Sequence, residues 1–412
     1  MINQPRAIDC LQRYELDALV ATSPVNVTYV TGYYSWLAGQ FKEYMVRPGG
    51  SADLLPSFGV FTAAGHTSLA IDATMACNAM DLDVDRIRFF GGGMLDHSVP
   101  PVELPDRLKS LHTSMTTEPY GASPVDALKD VLSDASLANG RIGIDRDTLA
   151  STTFEAIQHA LPDVQWRDAS NLIRWIRMVK TKEEIERLRR ATQIAEEAAH
   201  IALADAKVGG SLLEMRQRFQ TELAAQGAEP DHFAYSARGM GIATESDYRL
   251  APDDILYVDY GCVFGYCCSD SGLTLSMGPP SDNHQRSYDA LYACLQAGSE
   301  AMRPGVNTSA ISDAMWSVLR EHDIRVSFPH GHGIGLEVRD YPILVSDTRL
   351  RIKDDCIDEP ADLPLEESMV LNLEAPIFIP GTASLHIEQT FLVESDGAAL
   401  LTPQERGAPF VP

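Results

Sequence analysis

The sequence predicts a smaller α/β domain followed by a larger α+β domain, and three observations carry that expectation. At 412 residues the chain is long for one compact body and long enough for cores that need no disulfide staples. Its first part alternates helix-like and strand-like segments. Its second part sets long amphipathic helices against paired strands.

The opening MINQPRAIDCLQRY reads as helical up to about Tyr14. The runs LDALVATS, VNVTYVTGY, FGVFTAAG and HTSLAIDA follow as largely strand-like segments, and RIGIDRD returns near residue 142. From Asn171, the stretch NLIRWIRMVKTKEEIERLRRATQIAEEAAHIALADA carries apolar residues at helical spacing, with the charges of KTKEEIERLRR on the other face. Thr181, ahead of Lys182, Glu183 and Glu184, supplies an N-cap with acids in the first turn. The domain boundary is placed just before this helix, giving domains 1–171 and 172–412. Two further helices follow: SLLEMRQRFQTELAAQG, stopping at Gly227, and HQRSYDALYACLQAGSEAM, ending before Pro304 and Gly305.

Composition excludes several classes of function. A hydrophobic share of 45% with 22% charged residues is that of a globular protein without disordered tracts. The formal charge of −25 repels phosphate backbones, so nucleic acid is not an expected partner. Acidity serves solubility, and it also supplies carboxylates from which a cation site can be drawn. The N-terminus shows no basic region followed by an apolar one, and no apolar stretch of about 18 residues could span a bilayer. Seven cysteines, an odd number with no CxxC metal pair, read as buried thiols in a reducing cytoplasm.

The chemistry concentrates in two hairpins. ILYVDYGCVFGYCCSDSGLTLSMG reads as two strands joined at Phe264-Gly265, and Asp259 and Asp270 are equidistant from that turn. Residues so placed lie opposite each other with Cβ atoms about 5 Å apart. In MVLNLEAPIFIPGTASLHIEQTFLV, Glu374 and Glu388 flank the Pro380-Gly381 turn in the same way, with Gly381 at their midpoint. A single carboxylate pair often marks nothing more than a solvated hairpin face. These acids, however, interrupt apolar runs (LYVD, VLNLE, LHIE), where an uncompensated charge would cost several kcal/mol.

The compensator is cationic. A glycine-rich turn, FPHGHGIGLEVRDYP, projects His332, and a neutral imidazole is a common transition-metal ligand, although in isolation such a histidine more often just bonds its own loop. Four carboxylates and one imidazole can hold two divalent ions about 3.5–4 Å apart. Oxygen-rich ligation favours Mn²⁺, Fe²⁺ or Co²⁺, with Zn²⁺ admissible.

The order Asp259, Asp270, His332 in GHGIGLE, Glu374 and Glu388 resembles the pita-bread metalloenzymes: Xaa-Pro dipeptidase, aminopeptidase P, methionine aminopeptidase and the metal-free creatinase. RWIRMVKTKEEIERLRRA and VNVTYVTGY are similar to the prolidase and creatinase branch, so the resemblance spans nearly the whole chain. It implies a pita-bread catalytic domain behind a creatinase-type N-terminal domain. It implies that Asp259, Asp270 and Glu388 hold one metal and Asp270, His332, Glu374 and Glu388 the other, with Glu374 as general base. It also implies a homodimer whose first domain, around Tyr34, Trp36 and Arg47, closes as a lid over the partner's site.

The chain departs from that family at three places. Its peptidases carry a histidine about seventeen residues before the first metal aspartate; here that position is near Ile242. His232, ten residues earlier, is read as a surface or packing residue. The family's second histidine, seven residues after the metal histidine, is replaced by Arg339, either a clamp for an anionic substrate group or a salt-bridge partner of a nearby acid such as Asp340 or Glu337. His330 either takes over the role of the displaced imidazole or hydrogen-bonds the loop. The leading expectation is a metal-dependent hydrolase of an amide or related C–N bond in a small or short-peptide substrate. The alternatives are small-metabolite chemistry of the creatinase, ectoine hydrolase or dimethylsulfoniopropionate lyase kind, and a non-catalytic binding protein.

Overall fold

The structure, a computed structural model, describes residues 2–46, 48–50, 54–92, 96, 103–117, 119–325, 327–346, 349–401 and 406–412. It divides into two compact units, Met1–Arg177 with Ile352–Asp358, and Met178–Arg351 with Glu359–Pro412.

The first unit runs α1 (Gln4–Arg13), β1 (Ala18–Ala21), α2 (Pro24–Thr31), the single turn α3 (Glu43–Val46), β2 (Phe58–Thr62), β3 (Thr67–Asp72) and β4 (Arg86–Phe90). It continues through α4 (Asp106–Thr117), α5 (Pro124–Asp134), β5 (Arg141–Ile144), α6 (Ser151–Ala160), β6 (Gln165–Asp168) and α7 (Ser170–Arg177). Its six strands form one mixed sheet in the order β4-β3-β2-β1-β5-β6. The apolar faces of β1, β2 and β5 (Val20, Phe58, Ile144) bury against Leu128 and Val131 of α5. This is the expected α/β domain, with one correction. VNVTYVTGY folds as helix α2, not a strand: Ser23 Oγ accepts from the Asn26 N–H, Pro24 presets the first turn, and Gly32 at φ 75° ends it. Local capping outweighs the β preference of its branched residues. Trp36 begins a 3₁₀ turn, while Arg47, the other anchor of the expected lid, lies outside the described residues.

The division falls after Arg177 rather than at residue 171, because the single long helix expected from Asn171 is two helices. α7 stays with the first unit, where Arg177 Nη1 donates to Asn26 Oδ1 at 2.6 Å and Asp354 accepts from the N–H groups of Asn171 and Leu172 at 2.8 and 2.9 Å. A new helix, α8 (Lys182–Leu203), starts at the expected cap, where Thr181 and Glu184 form a reciprocal capping box.

In the second unit α8 and α9 (Leu212–Ala225) back onto a nine-stranded sheet. Its strands are β7 (Glu229–Ala237), β8 (Ile255–Phe264), β9 (Cys267–Cys268), β10 (Ser271–Ser276), β11 (His330–Gly333), β12 (Asp340–Ile343), and, after a small β13 (Arg351–Lys353) and β14 (Asp358–Pro360) hairpin, β15 (Val370–Ile379), β16 (Ala383–Glu394) and β17 (Gly397–Leu400). The main path is β12-β11-β15-β16-β10-β8-β7. Helices α10 (Asp282–Ala301) and α11 (Thr308–Glu321) complete the unit. Leu256, Val258 and Tyr260 of β8 bury against Ile194, Ala198 and Phe219 of α8 and α9. The alternate residues, Tyr257 and Asp259, therefore point to the other face.

Register decides which carboxylates meet. Glu374 lies directly opposite Glu388, as the Gly381 midpoint predicts. The first hairpin turns one residue later than expected: Phe264 pairs with Cys267, and Gly265 and Tyr266 both take positive φ, 56° and 72°, as a two-residue primed turn demands. Asp259 consequently opposes Gly272, and Asp270 is its diagonal neighbour, on the same face because the shift spans an even number of residues. Within the glycine-rich phrase, His330–Gly333 is strand β11, with His330 opposite Glu374 and His332 opposite Asn372, and the residues after it bend back into β12.

Candidate metal centre

Five strands bring one polar cluster together on the face of the sheet away from α8 and α9. Asp270, His332, Glu374, His386 and Glu388 are each at most 5% exposed. His332 Nε2 lies 3.4 Å from Asp270 Oδ2 and 3.9 Å from Glu374 Oε1. His386 Nε2 lies 3.5 Å from Glu374 Oε2 and 3.6 Å from Glu388 Oε2. His232 Nε2 lies 2.9 Å from Asp259 Oδ1 and 3.3 Å from Asp270 Oδ1. The rim is hydrogen-bonded: Tyr257 Oη donates to Asp259 Oδ2 at 2.7 Å, and Asn372 Nδ2 donates to Glu388 Oε1 at 2.9 Å.

The carboxylates divide by environment. Burial opposes ionisation of Asp259, but the bond and charge of His232, the charge of His386 and the bond from Tyr257 together outweigh it and hold the carboxyl below its ordinary range. Burial also works against Glu374, yet His330 and His386 hold it low. Asp270 is raised, chiefly by burial, and Glu388 is raised well above the usual value by burial followed by the charges of Asp270, Glu374 and Asp259. Burial lowers His332, leaving a neutral imidazole, whereas His232 is pushed up to about 12 because Asp231, Asp259 and Asp270 outweigh its burial. An ion at the centre would take the place of the protons that Asp270 and Glu388 favour.

A divalent cation fits these groups. Buried His332 Nε2, His386 Nε2 and Glu388 Oε2 have no hydrogen-bond partner among the described residues, although buried polar atoms seldom go unsatisfied. Ligand atoms gather within 4.8 Å of one another in three overlapping sets: His232, Asp259 and Asp270; Asp270, His332 and Glu388; Glu374, His386 and Glu388.

All five ligand residues expected from the sequence meet here, and so do His330 and Arg339. His330 hydrogen-bonds its loop, Nδ1 to the Phe328 carbonyl at 2.8 Å, and its Nε2 also meets Glu374 Oε1. Arg339 forms a salt bridge to a nearby acid, as one of its two readings has it, the acid being Glu374, whose Oε1 its Nη2 reaches at 2.9 Å. His232 is no surface residue. A bulge at Asp231 turns its ring onto Asp259, a reach that counting along a regular strand misses. Ile242, at the position of the family histidine, is 57% exposed. His386 belongs to no motif of its own; its place two residues before Glu388 on one strand, and so on the same face, is the mark it leaves in the sequence.

A buried cluster of carboxylates and imidazoles with unsatisfied ligand atoms is the kind of site on which metal-dependent hydrolases are built. The chain matches the model of metallopeptidase family M24 over residues 186–395 and that of the creatinase/prolidase N-terminal domain over residues 5–179, and it belongs to family M24. It is accordingly a metal-dependent hydrolase of the prolidase and aminopeptidase P type. Among its relatives, an Xaa-Pro dipeptidase of Pyrococcus furiosus is 27% identical over 64% of this chain and 74% of its own length. An uncharacterized peptidase of Staphylococcus haemolyticus is 25% identical over 96% of this chain and 97% of its own. The fold matches an X-Pro aminopeptidase from Thermotoga maritima with a TM-score of 0.72 at 19% identity, covering 100% of both chains. It also matches a dipeptidase from Pyrococcus horikoshii with a TM-score of 0.74 at 19% identity, over 99% of each.

Proposed function

We propose that this chain cleaves Xaa-Pro or similar short peptides with the help of two divalent ions that Asp259, Asp270, His332, Glu374 and Glu388 would hold. The observation that carries the reading is the Glu374–Glu388 pair, directly opposed and buried beside the orphaned Nε2 of His332. When bound, such a pair of ions supplies Lewis acidity, making water nucleophilic at neutral pH and polarising an amide carbonyl.

Glu374, held ionised, is placed to accept a proton from the attacking water and pass it to the departing amine. His330 and Arg339 both meet its Oε1 and fix its orientation. Arg339, with a side chain 56% exposed, is also placed to pair with a peptide carboxylate. The peptidase names of the relatives favour this reading over small-metabolite chemistry.

The proposal extends to Mn²⁺, Fe²⁺, Co²⁺ or Zn²⁺ as the ions, to a homodimer in which the first unit serves as lid, and to the cytoplasm. No described helix is long and apolar enough to cross a membrane, and none of the seven cysteines forms a disulfide. The test is proline release from Xaa-Pro dipeptides by cation-stripped protein resupplied with Mn²⁺, Co²⁺ or Zn²⁺. Restored turnover is expected, with Glu374→Gln slower by about 10²–10⁴-fold. Absence of turnover with all three ions contradicts the reading.

A further inference from the structure

Four imidazoles around the centre share one arrangement. Each engages Nδ1 outward: His232 with Asp231 Oδ2 at 2.7 Å, His330 with the Phe328 carbonyl at 2.8 Å, His332 with that of Gly333 at 3.0 Å, and His386 with that of Val258 at 3.4 Å. Each turns Nε2 toward the carboxylates. An imidazole oriented through one nitrogen so that the other faces a cation is the usual build of a metal-ligating histidine, and Asp231 gives His232 the carboxylate form of it.

We propose that His232 and His386 join His332 as direct ligands, making this a nitrogen-rich centre that prefers Co²⁺ or Zn²⁺ to Mn²⁺. The inference rests on the metal reading above and goes beyond its single imidazole.

Spacing supports it. Two ligands about 2.1 Å from one ion stand about 3.0–3.4 Å apart at octahedral to tetrahedral angles. The His232–Asp270, His332–Asp270, His386–Glu374 and His386–Glu388 separations of 3.3, 3.4, 3.5 and 3.6 Å lie in or just beyond that range and at or past the long limit of a hydrogen bond, while His232–Asp259, at 2.9 Å, falls just short of the range and within hydrogen-bond reach. His386 Nε2 is fully buried and has no hydrogen-bond partner among the described residues, so none of them satisfies the lone pair that its Nδ1 contact directs inward.

The backbone beneath both rings makes room for them. His232 lies opposite Gly261, where a Cβ would come within 2.5 Å of its Cε1. At Gly272 a Cβ would come within 2.2 Å of His386 Cε1 and 2.8 Å of Glu388 Oε2. Glycine inside a strand weakens it, and here each one admits an imidazole to the carboxylates. Tyr257 stacks on the His386 ring, with centroids 3.9 Å apart and planes 16° from parallel, which sets its orientation. Imidazole nitrogen in place of carboxylate oxygen shifts preference toward the later first-row ions.

A second role is open to His232, that of a protonated counter-charge to Asp259 and Asp270. The two roles predict opposite signs: removing a ligand weakens cation binding, whereas removing a competing positive charge strengthens it.

Cation-stripped wild type, His232→Ala and His386→Ala are titrated with Co²⁺ and with Mn²⁺, with circular dichroism checking each fold. Each substitution is expected to weaken Co²⁺ binding by at least about 10–100-fold, the loss typical of an orienting partner alone, and Mn²⁺ binding by less. X-ray absorption on Co²⁺-loaded wild type needs no variant to fold, and about three imidazoles shared by two ions are expected. One imidazole, or unchanged or tighter Co²⁺ binding in both variants, overturns this inference while leaving the five-ligand centre standing. A wild type that binds neither ion overturns the metal reading itself, and this inference with it.

Discussion

On the helix-facing side of β8 and β10, Glu196, Tyr260 and Arg406 form a closed charge network; on the opposite side of the same strands, the carboxylates of the metal centre are left open. Arg406 Nη2 donates to both oxygens of Glu196 at 2.5 and 2.6 Å and to Tyr260 Oη at 3.0 Å, and its Nε donates to the Gly272 carbonyl at 3.2 Å. Glu196 is 0% exposed and Arg406 4%, so both charges are desolvated and each is answered. Across the sheet four carboxylates gather, and Glu388 Oε2 and two Nε2 atoms remain unanswered. Equal burial with opposite bookkeeping separates a network that holds the fold from a site that awaits a ligand.

The largest effect should come from breaking the closed side. Arg406→Met leaves Glu196 buried without its partner and should cost about 3–5 kcal/mol in denaturant unfolding, while the protein that remains folded still binds its cations. Equal loss of binding would show that the two faces are not separable. Next in size is the open side's response to its ligand. Cation at about one hundred times its dissociation constant should raise stability by about 2.7 kcal/mol in a thermal or denaturant scan, and chelator should remove the gain.

Glu388→Gln sharpens the contrast, because removing a buried acid from the open side should leave cation-free stability unchanged or improved by about 1 kcal/mol, while abolishing the cation's increment. A loss comparable to Arg406→Met would mean that the centre is internally balanced after all. The smallest effect belongs to the first unit, where Arg88 and Arg86 overcome burial to hold Asp134 below its ordinary pKa of 3.8. Its ionised form is favoured in the folded state, so Asp134→Asn should cost about 1 kcal/mol at neutral pH. That difference should vanish as pH falls through the lowered pKa, and a constant difference across the range would point to packing instead.

What was legible in the sequence followed from regular geometry. Glu374 and Glu388 meet because a regular hairpin about Gly381 leaves them no other arrangement, and Thr181 caps its helix through purely local bonds. The departures came where the backbone is irregular. The primed turn at Gly265-Tyr266 moved Asp270 from opposite to diagonal, and the bulge at Asp231 turned His232 into the centre. VNVTYVTGY became a helix because Ser23 and Pro24 precede it, a signal two residues outside the run that suggested a strand. Glycines inside strands, Gly261 and Gly272, were the unused marks of His232 and His386: each leaves space that an imidazole fills.

Elemental analysis of protein purified without chelator tests the central claim most directly, since the open cluster exists to be closed by cations. Two divalent first-row ions per chain, lost on Glu388→Gln and retained by the folded fraction of Arg406→Met, is the predicted result. A metal-free wild type that stays metal-free after incubation with Mn²⁺, Co²⁺ and Zn²⁺ would contradict it.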